Sequence, residues 1–428
     1  MDYTKTLLQP QAELVRAGIT SDSWGRYYTS NSVSSTLVNA MDCVRPNLVV
    51  ELGAGKGSIA FEAAKKWNGA NFITVDTDRS AITSLSLLGK AGKHTHHVQD
   101  ALDESIAERI GVDFGTVDVG LCNPPYVRPK WRSSFGHILE QAGLSGSLSS
   151  VHDAGADLLF IAQNLRLLRK RGKLGLILPD GLITGEKYQG VRSALLKQHL
   201  VQQVIQLPRR VFSNTEAQTY LLTLSKCSGE TQSVALRTMG SDGQLSPAIH
   251  IPSDDARRRL DYAYHASSGN RSPEIHKQLH VTIDEVAADL IRGSLCSSQL
   301  ESIGSPVFHL SDFPRNGNGT LAPVVPSKFL QPLKKLANLP PNIKFAIKGD
   351  ILIARIGRNL QDKICLVTRG GCVISDCVYA LRVNAPYHDA VMAYLTGAAG
   401  RRALEASSHG VGAKYISRGD LFSLNLPI

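Results

Sequence analysis

The four residues Asn123, Pro124, Pro125 and Tyr126 follow directly after the apolar run VDVGLC (117–122). An apolar run of this length is typical of a buried strand. A buried strand has no structural need to end on an amide, two prolines and a ring. In open parallel sheets, however, ligands bind in the crevice beyond the carboxyl ends of the strands. We therefore interpret these four residues, called the tetrad below, as candidates for the chemistry of a site.

A glycine-rich turn follows a second strand-like run, NLVVELG (47–53). Gly53 and Gly55 allow the backbone to turn sharply and to approach a ligand closely. Glycines alone are as typical of a tight connection as of a nucleotide-binding turn. The acid Glu51 stands just before them, and its charge disfavours a phosphate group and favours a cationic ligand.

Two more acids end neighbouring strand-like runs. Asp76 closes NFITVD (71–76), a position at which a carboxylate can chelate ribose hydroxyls. Asp100 follows what we interpret as a third strand, where it is placed to accept from an adenine amino group. Each acid alone is also compatible with a solvated strand end. Together with Glu51 they indicate a pocket for an adenosine-like, positively charged ligand.

These candidate residues require a sheet that brings strand ends together. Short β-branched runs alternate with longer amphipathic runs, which predicts an α/β fold with a mostly parallel, Rossmann-like sheet and helices on both faces. Predicted strands cover 47–53, 71–76, 117–123, 172–179, 201–208 and 219–226, and predicted helices cover 157–172 and 188–200.

The second half of the chain has a different character. Residues 227–274 are rich in Ser, Gly and Pro, which predicts a small β extension or a linker. Strand-like runs then follow at 349–357, 363–368 and 372–383, with one helix predicted at 388–408. We therefore predict a first domain at 1–226, the linker at 227–274, and an α+β domain at 275–428.

Composition narrows the class of protein. The 428 residues carry a net charge of +10, which suits a polyanionic partner. No apolar run reaches the roughly 18 residues of a membrane helix, and the first residues lack the apolar core of a secretion signal. We expect a cytoplasmic protein. The seven cysteines form no C-x-x-C pair, so neither a disulfide framework nor a metal site is predicted.

The ordered motifs resemble class I S-adenosylmethionine-dependent methyltransferases, and the tetrad resembles the catalytic motif of those that methylate adenine N6. The stretch GRYYTS (25–30) looks like the additional cofactor motif of their γ group, and 176–226 is similar to the modification subunits of type I restriction systems. The resemblance implies S-adenosylmethionine as the cofactor. It implies a binding set of Tyr28, Thr29, Glu51, Gly53, Gly55, Asp76 and Asp100.

The same resemblance assigns roles to the tetrad. The side-chain oxygen of Asn123 and the carbonyl of Pro124 would accept from the target amine, and Tyr126 would stack on the target base. Phe212 is the candidate for a second stacking ring, with a core phenylalanine as the alternative. Arg209 and Arg210, just before Phe212, would contact flanking phosphates.

From about 275 onward the chain resembles the target recognition domain of type I specificity subunits. The candidate DNA contacts in this part are Arg355, Arg358, Lys363 and Lys414, with a solvated basic surface as the alternative. The chain stops about where specificity subunits begin a long spacer helix, so we expect a monomer.

These features together predict a site-specific DNA adenine-N6 methyltransferase of a restriction-modification or related defence system. Its expected partners are double-stranded DNA and a separately encoded restriction endonuclease. Two alternatives remain at this point. One is an RNA or protein amide methyltransferase, and the other is a DNA-binding specificity or modification subunit that needs a partner for activity.

Overall fold

The computed structural model describes most of the chain in two compact units. The described residues are 29–79, 85, 93–209, 211–212, 218–267, 281–299, 304–314, 323–410 and 413–426. Unit 1 comprises 1–178 with 210–215 and 223–228, and unit 2 comprises 179–209, 216–222 and 229–428. Tyr28 and Arg210, both predicted site residues, lie outside the described residues.

Unit 1 is built on a parallel sheet. Its strands are β1 (Leu48–Leu52), β2 (Asn71–Asp76), β3 (Lys93–Val98), β4 (Val117–Cys122) and β5 (Leu168–Pro179). Their spatial order is β3-β2-β1-β4-β5, and every neighbouring pair is parallel. The order reverses between β1 and β4, and such a switch point opens a crevice at the carboxyl ends of the strands.

Helices connect these strands. They are α1 (Asn31–Ala40), α2 (Ser58–Lys66), α3 (Ile106–Arg109), α4 (Ser133–Gln141) and α5 (Ala156–Leu167). Every residue of α5 is buried, as is every residue of β4, so these two elements lie in the core of the unit. The α/β class with a parallel sheet is therefore confirmed.

The boundary between α5 and β5 differs from the prediction. The apolar spacing predicts a helix to residue 172, but the helix ends at Leu167 and Leu168 already pairs with Val117 in the sheet. Arg171 then adopts a left-handed conformation, with φ of 66°. Pairing with β4 has overridden the local helical periodicity. The sheet hydrogen bonds and the burial of Leu168 stabilise the strand, and both depend on a partner that is distant in sequence.

The first part of unit 2 is a smaller α/β segment. Its elements are α6 (Asp180–Thr184), α7 (Gln189–Gln198), β6 (Leu200–Gln206), β7 (Thr219–Ser225, of which 219–222 belong to this unit), β8 (Ser233–Thr238), β9 (Ile249–Pro252), α8 (Ser253–Arg258) and α9 (Tyr262–Ser267). Strand β6 pairs in parallel with β8, and β8 pairs antiparallel with β9.

The C-terminal part of unit 2 is α+β. Its strands are β10 (Val281–Thr282), β11 (Ala287–Arg292), β12 (Val307–Phe308), β13 (Phe345–Ile347), β14 (Ile351–Ala354), β15 (Ile356–Gly357), β16 (Ile364–Leu366), β17 (Gly371–Ile374), β18 (Val378–Val383), β19 (Lys414–Tyr415) and β20 (Asn425–Leu426). Its helices are α10 (Ile283–Val286), α11 (Leu333–Ala337), α12 (His388–Thr396), α13 (Ala398–Ser407) and α14 (Arg418–Phe422).

An antiparallel sheet in the order β11-β18-β14-β16 carries the core of this part. The single helix predicted at 388–408 is wrong in one respect, because Gly397 has an extended conformation (ψ 166°) and separates α12 from α13. Glycine lacks a side chain to favour the helical conformation, so the chain breaks there. The predicted domain boundaries at 226 and 275 stay predictions.

None of the helices in the described ranges has both the length and the apolar character needed to span a bilayer.

Candidate active site

The register of the parallel strands brings predicted site residues to one edge. Leu52 of β1 pairs with Val75 of β2 and with Cys122 of β4. The residues that follow these three therefore lie side by side at the carboxyl edge of the sheet. Two of them are Asp76 and Asn123, and the third is the first glycine of the turn. The crevice between β1 and β4 is thus lined by residues that the sequence places 47 positions apart.

A cavity of about 630 Å³ opens at this edge, a volume within the range of small-molecule sites. Nine predicted site residues line its wall: Thr29, Glu51, Gly53, Gly55, Asp76, Asp100, Asn123, Pro124 and Pro125. All of them belong to unit 1. The carboxylates line the same cavity as the first three residues of the tetrad, although the roles of the individual residues stay predictions.

The glycine turn leaves room in the wall of the cavity. Gly53 has φ of +74°, and a Cβ atom there would lie 3.3 Å from the ring of Phe160. Its N–H group donates to the carbonyl of Val75 at 2.8 Å. A side chain at this position would be strained and would crowd the neighbouring ring. The turn therefore keeps the backbone close to whatever occupies the cavity.

Glu51 is a buried acid at the base of the cavity. It is 2% exposed, and its Oε2 accepts from the N–H of Ala60 in α2 at 2.9 Å. Burial raises the pKa of Glu51 well above its ordinary value, and the nearby charge of Asp76 acts in the same direction. Among the described residues no cation pairs with it. A positively charged ligand would supply the missing partner.

Asp76 is held rigidly by the backbone. Its Oδ2 accepts from the N–H of Gly55 at 2.7 Å, and its Oδ1 accepts from the N–H of Asp78 at 2.8 Å. The carboxylate thereby joins the end of β2 to the glycine turn. Each carboxylate oxygen has a second lone pair, so Asp76 retains acceptor capacity toward the cavity.

Asp100 is joined to Arg132, a residue that was not among the predicted site residues. Its Oδ1 accepts from the N–H of Leu102 at 2.9 Å, and its Oδ2 accepts from Nη1 of Arg132 at 2.7 Å. Arg132 also lines the cavity. A signal for it existed in the sequence, since it ends a basic run that starts two residues after the tetrad. Phe160, another wall residue that was not predicted, gave no local signal because only the packing of α5 brings it there.

The amide of Asn123 is oriented by two hydroxyl groups. Its Nδ2 donates to Oγ1 of Thr29 at 3.1 Å, and its Oδ1 accepts from the hydroxyl of Tyr126 at 3.1 Å. The hydroxyl of Tyr126 also lies 3.4 Å from the carbonyl of Ile177 at the end of β5. With the amide nitrogen toward Thr29, the amide oxygen lies toward the hydroxyl of Tyr126.

The remaining predicted residues have other surroundings. Phe212 is 2% exposed, which is the burial that its alternative interpretation as a core residue requires. Arg209 and Arg358 are exposed, and Lys363 is half-buried. Arg355 donates from Nε to the carbonyl of Asp376 at 2.8 Å. Lys414 is 9% exposed, with Nζ 3.3 Å from a carboxylate oxygen of Glu405. Their roles toward a base or toward DNA stay predictions.

The cavity fits an adenosine-like cation. Buried or half-buried carboxylates at Glu51, Asp76 and Asp100 supply acceptors and negative charge, and the glycine turn leaves space for close approach. A strand order of 3-2-1-4-5 with an acid-lined crevice at the switch point is that of a Rossmann-like fold, the class to which the class I methyltransferases belong.

Within that class, the chain belongs to the N-6 DNA Methylase family, whose model matches residues 16–288.

Curated relatives are similar over part of their length. The chain is 29% identical over 110 residues to the type I restriction enzyme MpnII methylase subunit of Mycoplasma pneumoniae, covering 26% of this chain and 20% of that protein. It is 24% identical over 219 residues to the MjaVII methylase subunit of Methanocaldococcus jannaschii, covering 47% and 36%. The chain thus spans about a third or less of the length of these relatives.

A solved structure shares the fold over nearly the whole chain. The type IIG restriction endonuclease BpuSI superposes with a TM-score of 0.50 at 13% identity, covering 94% of this chain and 59% of that one. At this identity the likeness concerns the fold alone.

Proposed function

We propose that the chain is a site-specific DNA adenine-N6 methyltransferase that uses S-adenosylmethionine and belongs to a restriction-modification system. The observation that carries the proposal is the tetrad at the end of β4, whose first three residues lie in the wall of an acid-lined cavity and whose Tyr126 bonds the amide of Asn123. Membership in the N-6 DNA Methylase family and likeness to two type I methylase subunits support it.

The cofactor would be held by residues that line the cavity. When bound, S-adenosylmethionine supplies an electrophilic methyl group on a sulfonium centre. Asp76 would accept from the ribose hydroxyls, Asp100 would accept from the adenine amino group, and the charge of Glu51 would favour the cationic end of the molecule. The fit rests on the three carboxylates and on the open glycine turn.

The tetrad would raise the reactivity of the target amine. The lone pair of adenine N6 is delocalised into the ring, which makes the amine a poor nucleophile. Acceptance of its hydrogen atoms by Oδ1 of Asn123 and the carbonyl of Pro124 draws electron density back onto the nitrogen. Acceptors that are already oriented need no reorganisation as positive charge develops on the amine. The proton then leaves the methylated nitrogen for solvent, so no strong base is needed.

The target base lies inside the duplex and must be flipped out, at a cost of a few kcal/mol. Stacking on the ring of Tyr126 would offset part of that cost. Two prolines next to the amide restrict the backbone and remove N–H donors that would repel an amino group.

The C-terminal part of unit 2 would act as the target recognition domain. Its α+β fold and its basic residues, including the exposed Arg358, support contact with DNA phosphates and base edges. Double-stranded DNA would be the substrate, and a separately encoded restriction endonuclease would be the functional partner.

The proposal is tested by transfer of tritiated methyl groups from S-adenosylmethionine to genomic DNA of a host that lacks adenine methylation. The DNA is then digested to nucleosides. Label in N6-methyladenine is the expected result. Label found only in RNA or in protein supplied as parallel substrates would overturn it. Cofactor binding without any transfer would instead favour the DNA-binding subunit.

An Asn123→Ala variant tests the role of the amide. We expect transfer to fall by roughly a hundredfold or more, because one preorganised group at the reacting atom is removed. DNA affinity, measured by fluorescence anisotropy, should stay within about twofold of that of the wild type. Asn47→Ala is the matched control, since Asn47 is exposed and precedes β1 at the opposite edge of the sheet. Equal activity of both variants would refute the proposed chemistry.

A further inference from the structure

A basic strap connects the tetrad to α4. It comprises residues 127–132, VRPKWR, and contains three cations, one tryptophan and no acid. Val127, Pro129 and Arg132 line the cavity, so the strap forms part of its rim next to Asn123. The function proposed above assigns no role to this strap.

Contacts on both sides hold the strap in one conformation. The carbonyl of Val127 accepts from the N–H of Ala156 at 3.0 Å. Arg128 donates from Nη2 to the carbonyl of His152 at 2.9 Å and to Oδ1 of Asp153 at 2.8 Å. These bonds tie the strap to the segment that begins α5. Hydrogen bonds to neighbouring residues therefore fix the conformation of the strap.

An aromatic cluster supports the far end of the strap. The ring of Trp131 lies 4.5 Å from that of His152 and meets the buried ring of Phe135 edge-on at 5.6 Å. The guanidinium of Arg132 lies over the same Phe135 ring at 5.1 Å. Packing against a buried ring holds Trp131 and the guanidinium of Arg132 in place at this end of the strap.

The charges of the strap face solvent. The side chain of Arg128 is 65% exposed and that of Arg132 is 48% exposed, although each has one acidic partner. Lys130 is exposed and forms no ion pair with any described residue. Val127, at 39% exposure, adds an apolar surface between these cations and the tetrad. An unpaired lysine between two exposed arginines is a site for a polyanion rather than for a neutral ligand.

We propose that the strap binds backbone phosphates of the DNA strand that carries the target base, with Lys130 as the principal contact. This inference rests on the proposed function and adds a binding surface to it. Phosphate contacts set the position and orientation of a protein on DNA. A strap that begins one residue after Tyr126 would hold the phosphates next to the flipped nucleotide while its base enters the site.

The test compares Lys130→Ala with Lys93→Ala. Lys93 is an exposed lysine of the same unit that begins β3 at the amino edge of the sheet, away from the cavity. The probe is a fluorescently labelled 30-base-pair duplex pool of random sequence, titrated by anisotropy at several salt concentrations. We expect Lys130→Ala to weaken binding several-fold and to reduce the slope of log K against log salt by about 0.9, the value for one phosphate contact.

Further measurements separate the possible outcomes. The affinity for S-adenosylhomocysteine and the thermal unfolding midpoint should be unchanged in both variants, since Lys130 and Lys93 are exposed and neither lines the cavity. An identical salt slope in Lys130→Ala and wild type would overturn the inference. If the wild-type chain methylates DNA and the slope is unchanged, only the strap proposal fails. If the wild type transfers no methyl group to DNA, the proposed function itself fails.

Discussion

The orientation of one amide is the central feature at the scale of single residues. An asparagine side chain is equally able to present its oxygen or its nitrogen to a ligand. In the structure the nitrogen donates to the hydroxyl of Thr29 and the oxygen accepts from the hydroxyl of Tyr126. Thr29 was predicted only to lie beside the cofactor. Its hydrogen bond to Asn123 also connects it to the residue predicted to accept from the target amine.

The buried acid Glu51 gives a pH-dependent prediction at the same scale. Its pKa is raised in the folded protein, so the neutral carboxyl is favoured. The protonated carboxyl of Glu51 therefore contributes to the free energy of unfolding. This contribution is fully present below the ordinary pKa of 4.5 and is lost as the pH rises through the raised pKa of the folded protein. Glu51→Gln mimics the neutral form and still offers an oxygen to the N–H of Ala60. The variant should therefore unfold at a higher temperature than the wild type at about pH 8, and this difference should shrink toward about pH 5.

The same Glu51→Gln substitution that raises stability should weaken cofactor binding. We expect Glu51→Gln to bind S-adenosylmethionine at least about tenfold more weakly near neutral pH, because a charge partner is lost. Scanning calorimetry and titration calorimetry measure the two effects. Glu108→Gln, which alters an exposed carboxylate on α3, is the control. A change in unfolding temperature that is the same at every pH would contradict the prediction.

At the scale of elements, the glycine turn and α2 depend on one another. Gly57 is the N-cap of α2 and has a left-handed conformation with φ of +79°, and a Cβ atom there would lie 2.3 Å from Cδ2 of Leu85. Ala60, three residues later, donates to Glu51. A side chain at Gly57 would strain the backbone and displace the start of the helix, and with it the donor that holds the buried acid.

The variant Gly57→Ala should therefore lose about 1–3 kcal/mol of stability, the usual cost of a strained left-handed residue, and more where Leu85 cannot move. Urea denaturation measures the loss, and titration with S-adenosylhomocysteine should show weaker binding. Gly69→Ala is the matched control, since no heavy atom lies within 4 Å of a Cβ at that position. If the two variants were equally stable, the tight packing of the turn would be disproved.

The end of α5 and the break between α12 and α13 show that tertiary structure decides where a helix stops. Hydrophobic spacing predicted both helices correctly in their first turns, and the errors fall where a tertiary contact or a single glycine decides the boundary. Leu168 joins the sheet because Val117 is there to pair with it.

At the scale of the whole molecule, unit 2 combines segments that are distant in sequence. Arg259 is 4% exposed, bonds both carboxylate oxygens of Asp261, and donates to the carbonyls of Ala406 and Ser407. Asp420 lies 3.6 Å away. The predicted linker at 227–274 thus contains a buried cation whose partners include residues of the predicted recognition domain. It has a structural role within unit 2 that a flexible connector would lack.

Arg259→Ala should lose about 3–5 kcal/mol, because the buried carboxylate of Asp261 would be left without its partner. That is a large part of the stability of a typical protein. Arg258→Ala, which removes an exposed neighbouring guanidinium, should change stability by less than about 0.5 kcal/mol. Thermal and urea unfolding of both variants provide the measurement, and a loss shared equally by the two would refute a special role for Arg259.

The sequence by itself determined the tetrad, the three acids and the α/β class. Each acid and the amide stands at or just beyond the end of a strand, and the periodicity of apolar residues marks those ends locally. Parallel strands bring their carboxyl ends to one edge of the sheet, and this does not depend on how the rest of the domain packs. This is why nine of the predicted residues line one cavity.

Only the tertiary structure decided which partner each of these residues has. Thr29 bonds Asn123 across 94 positions of sequence, and Arg132 bonds Asp100 across 32. Lys414 is buried beside Glu405, although its sequence context suggested an exposed cation. Hydrogen bonds and burial of this kind depend on which surfaces meet after folding, and side-chain periodicity carries no information about that. The residue types of the site could therefore be predicted from the sequence. The orientation, hydrogen-bond partners and exposure of these residues were determined only by the folded structure.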